Sequence, residues 1–529
     1  MECSCVRHTD LPGTSKLFAD LLYHFDRVED LYPYRPNDIR SLEAASRFDF
    51  PNERRAALVH ALTPLNEGNP SLERLARPGT VAVVTGQQVG LFSGPVYTVY
   101  KALTAIKAAA ELTQRGTPAV PVFWLATEDH DLAEVNHAWV FGADHRPVHI
   151  KSHAIESKAA QAHNQPVGGI GLGNIPLPEL EAAVAGLPFA PDAVAMVERA
   201  YRPGETMGSA FARFLKELFQ PYGLLLIDPL EPAIREMAAP LLMEAVERMP
   251  ELSDALVARS KDLTARGYHA QVLVDQSTSL VFLLHEGKRI ALRRSEGGFT
   301  APHLKLTTED LAARGSALSP NALLRPVMQD YLLPTAAYIG GPAELAYLAQ
   351  SQVLYAKLLG RQPAALPRAC FTLLDERSHR YMVRYGLHPA DLFAGERKLH
   401  ETIATRLVPR QLRARLDGTQ AAFKAALDAL KTDLDRFDAS LASALGTSRR
   451  KIEYQMEKMV RKTALRIMAR DEQATRDAGS LSGLAFPERH LQERLYSIVP
   501  FIAKFGPGIV DKLYSAVRIE CPDHQFVVV

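Results

Sequence analysis

Cysteine is scarce in this 529-residue chain: Cys3, Cys5, Cys370 and Cys521 are the whole set. None forms a CxxC pair, and so few thiols cannot staple a chain of this length. A disulfide framework is excluded, and a reducing, cytoplasmic compartment is expected. Cys3 and Cys5 fall in an N-terminal stretch expected to fray, where neither a metal site nor a catalytic role is expected. Long apolar runs are missing too. No segment approaches the roughly 20 residues of a membrane span, and the opening MECSCVRHTDLPG has no apolar h-region. Net charge is almost absent: 61 Lys plus Arg against 60 Asp plus Glu leave +1. That balance gives no reason to expect nucleic acid or an anionic membrane as a partner.

What is present describes a folded protein of two or three domains, with 47% apolar and 23% charged residues. Residues 1 to about 75 read as helices with polar breaks. Then VAVV (81–84) runs into a glycine-punctuated loop and the helical stretch VYTVYKALTAIKAAAELTQR. AVPVFWLA (119–126) is a second near-continuous apolar strand, GLLLIDP (223–229) a third, and YLLPTAAYIGGPAELAYLAQ (331–350) a fourth strand-loop-helix unit. Strands buried on both faces and alternating with helices predict an α/β core with a parallel sheet. Two segments, about 153–222 and 260–325, exceed a minimal core and read as insertions. The second contains a β-hairpin turning at Glu286-Gly287. The core with its insertions is placed at 1–394.

From 395 to 475 the pattern changes to a helical arm. Phe423, Leu427, Leu430, Leu434, Phe437 and Leu441 recur at spacings of three and four, the a/d seam of a coiled coil. Gly446 interrupts the seam, Ser448 is the expected cap of a second helix, and Ile452, Met456 and Met459 resume the stripe. About 28 residues in the first helix predict an antiparallel arm on the order of 40 Å long. Pairing with a second subunit and packing as a helical hairpin within a monomer both fit this pattern. Residues 476–529 return to short helices that pack back on the core.

In an open parallel sheet, ligands collect beyond the carboxyl ends of the strands. That rule brings together TGQQVGLFSGP (85–95), TEDHDLAEVNH (127–137), the turn at Asp228-Pro229, and YIGGPAE (338–344). Glycines at 86, 90 and 94 let backbone pass close to a ligand, Gln87 and Gln88 offer uncharged amides, Ser93 is a candidate N-cap, and Pro95 suits a first helical turn. A helix start fed by such a loop suits an anion, but the spacing is neither GxGxxG nor Walker A, and a structural turn with no ligand fits as well. Gly340-Gly341-Pro342 repeats the device. Glu344 there either serves the helix dipole or binds an ammonium group, and Arg325 is a candidate partner for carboxylate or phosphate. His130, Glu134 and His137 have helical spacing, yet the pattern is not HExxH and no cysteine lies nearby in sequence, so no metal is expected. His130 as a general base oriented by a carboxylate competes with a purely structural hydrogen-bond network.

Taken together, TGQQVGLFSGPVYTVYK, PVFWLATEDHDLAEVNH, GYHAQV (267–272), LSPNALLRPVMQDYLLPTAAYIGGPAELAY and LQERLYSIVPFIAKFG resemble the bacillithiol biosynthesis cysteine-adding enzymes, the cysteine ligases of that pathway. The motifs occur in order from residue 81 to about 506. The resemblance implies a Rossmann-like core with connecting-peptide insertions, an antiparallel coiled-coil domain that forms a homodimer, and addition of L-cysteine to glucosaminyl-malate. Amide formation needs an activated acyl group, so ATP or ADP is the expected cofactor. Its anionic part is placed at Thr85, Gly86, Gln87, Gln88, Ser93 and Gly94. His130 is the expected base, oriented by Asp131 or Glu128. Arg325 is assigned the malyl carboxylates and Glu344 the cysteine ammonium, with Asp129, Asn136, His137, Gly340 and Gly341 as further substrate contacts. KFGPGIV (504–510) is a candidate second ligand pocket beside the arm. A nucleotidyltransferase on the same core and a non-catalytic coiled-coil scaffold are the alternatives; the scaffold leaves the polar strand ends unexplained.

Overall fold

The central sheet follows the four apolar runs. In the computed structural model, which describes residues 3–161 and 164–529, β1 (Val81–Gln87) leads into α1 (Tyr97–Gln114) and β2 (Ala119–Leu125), followed by β3 (Leu225–Ile227). Later come α2 (Arg325–Leu332), β4 (Thr335–Gly340), α3 (Pro342–Leu358) and β5 (Ala364–Pro367). The strands are all parallel, in the order β5-β4-β1-β2-β3. Successive side chains of a strand point to opposite faces. Val81 and Val83 therefore enter one apolar cluster, and Ala82 and Val84 the other. Phe123 and Trp124 divide in the same way. Both faces are covered, which is why these strands read as unbroken apolar runs rather than alternating ones.

The sheet order changes direction at β1: β2 and β3 lie to one side, β4 and β5 to the other. The loops leaving β1 and β4 diverge there and open a crevice, the usual binding position in such sheets.

The hairpin at Glu286-Gly287 is present, with Thr278–His285 antiparallel to Lys288–Ser295 and positive φ at both turn residues (50° and 74°), as a two-residue primed turn requires. Gly298–Ala301, Leu304–Leu306 and Leu318–Pro320 extend it to five strands. Residues 162 and 163 of the other inserted segment lie outside the described residues.

The arm is formed by α4 (Arg410–Phe437) and α5 (Ala439–Met468), of 28 and 30 residues. The first matches the expected length, but the reversal comes earlier than Gly446. Asp438 breaks the helix in an extended conformation, and its side chain accepts from the Ser440 amide at 2.7 Å. Gly446 and Ser448 lie inside α5; a single glycine in a helix costs only about 1 kcal/mol relative to alanine. Among the described residues no helix, the arm included, is long and apolar enough to cross a membrane.

The N-terminus also departs from expectation. Cys3–Val6 is a strand antiparallel to His524–Val528, which in turn pairs parallel with Phe371–Leu374. A three-stranded sheet thus ties both ends of the chain to the segment that follows the core.

Candidate active site

The glycine-rich loop after β1 is held tightly. A Cβ on Gly86 would lie 2.8 Å from the Trp124 carbonyl oxygen, so glycine is needed there for contact with β2. Phe92 and Ser93 take positive φ (51° and 81°) ahead of Gly94 (62°), a costly conformation for a bulky residue. Tyr201 maintains it: its buried hydroxyl accepts from the Ser93 amide at 3.1 Å and donates to the Gly90 carbonyl at 3.0 Å.

The two glutamines are wired to fixed partners. Gln87 accepts from Lys101 Nζ at 2.8 Å and donates to Tyr97 Oη at 3.2 Å. Gln88 donates to Asp129 Oδ2 at 2.8 Å. Lys101, on the buried side of α1, also donates to the Gly86 carbonyl at 2.9 Å and pairs with the Glu344 carboxylate. All three ammonium donors therefore have acceptors. Burial lowers the Lys101 pKa while the Glu344 charge opposes it. At Glu344 burial pushes up, but Lys101 and the Gly341 amide hold the carboxyl below its ordinary value.

These groups line a cavity of about 540 Å³ at the divergence of β1 and β4. Nine expected residues reach it: Gly86, Gln87, Gln88, Gly94, Asp129, His137, Arg325, Gly341 and Glu344. Charge within it is divided. Arg325, whose Nη2 donates to Tyr347 Oη at 2.6 Å, and Arg494 have no carboxylate paired with them among the described residues. Asp129 and Glu134 also line the cavity. Burial works against ionisation of Asp129, but Gln88 and Arg289 outweigh it and hold its pKa low. Burial raises Glu134. His137 also faces the cavity, its pKa lowered by burial and by neighbouring His149.

Other expectations need correction. His130 is not a cavity-lining residue: Nδ1 turns to Arg289 Nη1 at 3.3 Å, and its ring lies 6.0 Å from Phe282 of the inserted sheet. Neither expected carboxylate orients it. Asp131 is exposed and caps a short turn by accepting from the Ala133 amide at 3.1 Å. Glu128 is buried away from the cavity and accepts from Ser319 Oγ at 2.8 Å. The helical spacing of His130, Glu134 and His137 is not realised, because only Leu132–Glu134 turns and His137 begins a strand.

Thr85 Oγ1 donates across the sheet to the Ile339 carbonyl at 2.9 Å. Ser93 Oγ donates to the Gly94 carbonyl at 3.0 Å, and Val96, not Ser93, is the N-cap of α1. Asn136 is buried with Oδ1 3.3 Å from His137 Nδ1, and the Gly340 carbonyl accepts from the Arg368 amide at 3.0 Å. Glu344 is already committed to Lys101, the Gly341 amide (2.9 Å) and Tyr338 Oη (2.7 Å), which leaves little capacity for a substrate ammonium. In KFGPGIV, Lys504 is engaged with His145 Nε2 at 2.7 Å and Asp375 at 2.6 Å.

Lys101, Tyr97, Tyr347, Arg368 and Arg494 lie outside the expected set. Lys101 has a readable signal, the one charge within the apolar stretch VYTVYKALTAI (96–106). Arg368 has none. It forms a buried bidentate pair with Glu493 (2.6 and 2.9 Å), which lies 125 residues away. Cys370, Glu493 and His524 are buried close together with metal-ligating atoms, but the Arg368 guanidinium already occupies the cationic position, 3.3 Å from Cys370 Sγ.

Residues 1–369 match the family model described as "Bacillithiol biosynthesis BshC, N-terminal Rossmann-like domain", and residues 371–529 match its "C-terminal coiled-coil domain". The chain belongs to the bacillithiol biosynthesis BshC family. It is 52% identical to a protein of Solibacter usitatus, with all of each chain covered, and 36% identical to one of Koribacter versatilis, with 99% of each covered. A protein of Salinibacter ruber is 30% identical over 97% of this chain and 96% of its own. All three bear the name "Putative cysteine ligase BshC". Within this chain the Rossmann-like match ends just after β5, so every residue lining the cavity except Arg494 lies in that domain.

Proposed function

We propose that the chain is a cysteine ligase that joins L-cysteine to glucosaminyl-malate to give bacillithiol, with ATP activating the cysteine carboxylate. The divided charge of the cavity carries this reading. Arg325 and Arg494 offer forked guanidiniums to the malyl carboxylates and to nucleotide phosphate, while Asp129 and Glu134 face the cysteine ammonium in place of Glu344. The start of α1, beside Gly94, adds a positive helix end for the phosphates.

ATP, held through its phosphates by Arg325, Arg494 and the start of α1, would supply the activation by transferring a phosphoryl or adenylyl group to the cysteine carboxylate, a P–O bond of ATP breaking with release of ADP or pyrophosphate. The sugar amine would then displace that group from the acyl carbon, the C–N bond forming, the bond to phosphate breaking, and the amine releasing one proton. His137, kept neutral near pH 7 by its lowered pKa, is placed to take that proton. Holding both reactants in one crevice supplies much of the rate.

Mass spectrometry of purified protein with ATP, cysteine and glucosaminyl-malate tests the reading. Product is expected, and Arg325→Ala should raise KM for glucosaminyl-malate by on the order of 10-fold to 100-fold, the loss of one charge-assisted pair. No product from the wild type, or nucleotidyl transfer to another acceptor, would overturn it.

The arm carries a second proposal: a homodimer formed by two copies. Phe423, Leu430, Phe437, Leu441 and Met459 remain 43–83% exposed along α4 and α5, too much apolar surface in one stripe for an isolated helical pair to cover. Sedimentation equilibrium should give twice the chain mass for the wild type and the single chain mass for the double variant Leu430→Glu with Phe437→Glu. A monomeric wild type at micromolar concentration would contradict the proposal.

A further inference from the structure

Arg289 ties the inserted β-sheet to the loop after β2. It is buried, and its donors are distributed: Nε to Ser319 Oγ at 3.1 Å, Nη2 to the Pro320 carbonyl at 2.7 Å, and Nη1 toward His130 Nδ1 at 3.3 Å, with Asp129 Oδ1 3.7 Å away. The guanidinium carbon lies 4.0 Å from the Phe282 ring centre, a cation–π contact that fixes its plane. Ser319 passes the connection on to Glu128 at 2.8 Å. Three consecutive residues of the loop after β2, Glu128, Asp129 and His130, are thereby tied to the insertion.

A guanidinium has donors and no acceptor. His130 Nδ1 has two polar neighbours, Arg289 Nη1 at 3.3 Å and Asp129 Oδ1 at 3.6 Å; only the guanidinium is within hydrogen-bond reach, so the nitrogen presents its lone pair to it and the neutral ring carries its proton on Nε2. Asp129 bridges the two environments, since its Oδ2 is held by Gln88 and it lines the cavity. The His130 side chain is 36% exposed, and the neighbouring Asp129 lines the cavity.

We infer that Arg289 is a positioning residue that holds His130 as an Nε2–H donor rather than a base, directed at negative charge on the activated acyl group or its departing phosphate. This role rests on the ligase reading above. Its structural half, the tautomer, does not.

The experiment is ¹⁵N NMR of histidine-labelled full-length protein, with the His130 resonances assigned by their loss in His130→Gln. The expected wild-type result is an unprotonated Nδ1 and a protonated Nε2. Arg289→Met should remove that preference and slow ligation on the order of 100-fold, as loss of one preorganised donor does, while KM changes little. Arg289→Lys, which keeps one donor, should recover part of both. A wild-type ring protonated on Nδ1 would overturn the inference without any variant, as would an unchanged His130 spectrum in Arg289→Met. Failure of the ligase reading would be seen separately, as absence of product from wild-type protein whose spectrum is as expected.

Discussion

Glu493→Ala is expected to destabilise the protein by roughly 3–5 kcal/mol, the cost of leaving a buried charge without its partner. The Arg368 and Glu493 side chains are 3% and 2% exposed, so water cannot replace the lost carboxylate. Glu493 also accepts from the Phe371 amide at 3.1 Å, which anchors the strand that follows the Rossmann-like core. For a protein with a typical stability of about 5–15 kcal/mol, the loss is a large fraction. Replacing both partners, Arg368→Met with Glu493→Leu, should be milder than Glu493→Ala alone, because no charge is then stranded. Urea denaturation of the three proteins decides this; a loss below about 1 kcal/mol for Glu493→Ala would contradict the buried-pair description.

Lys101→Met should have the second large effect, mainly on activity. The ammonium holds Gln87, the Gly86 carbonyl and Glu344 together. Without it, Glu344 loses the positive partner that keeps its pKa down, and the loops after β1 and β4 lose their shared anchor. Ligation is expected to fall on the order of 100-fold or more, since small displacements of binding groups cost that much. Adding Glu344→Gln should cost much less than the sum of the two single changes, with a coupling of about 1–3 kcal/mol in a double-mutant cycle on stability. Additive losses would show that the pair is not a unit.

The sheet was legible because strands buried on both faces leave a strong local signal: VAVV, AVPVFWL and TAAYIG needed no partner to be recognised. β5 was not, since four residues ending in proline carry little signal. Neither was Cys3–Val6, whose strand character depends on His524–Val528 at the other end of the chain. Convergence of the loops followed from topology, which brought Gln87, Asp129, Arg325 and Gly341 to one cavity. Side-chain direction did not follow. His130 turns its Nδ1 to Arg289, 159 residues distant, and Glu344 is spent on a lysine that shares no motif with it beyond the sheet. Local sequence places a side chain on a loop; long-range pairing decides what it faces.

The central claim is that loops from separate βα junctions form one crevice for both substrates. A crystal structure of the protein soaked with cysteine and glucosaminyl-malate tests it most directly. The malyl carboxylates are expected against Arg325 and Arg494, with the cysteine ammonium against Asp129 and Glu134 and the two reacting groups facing each other. Ligand bound instead at another surface, with this cavity left to water, would contradict the claim.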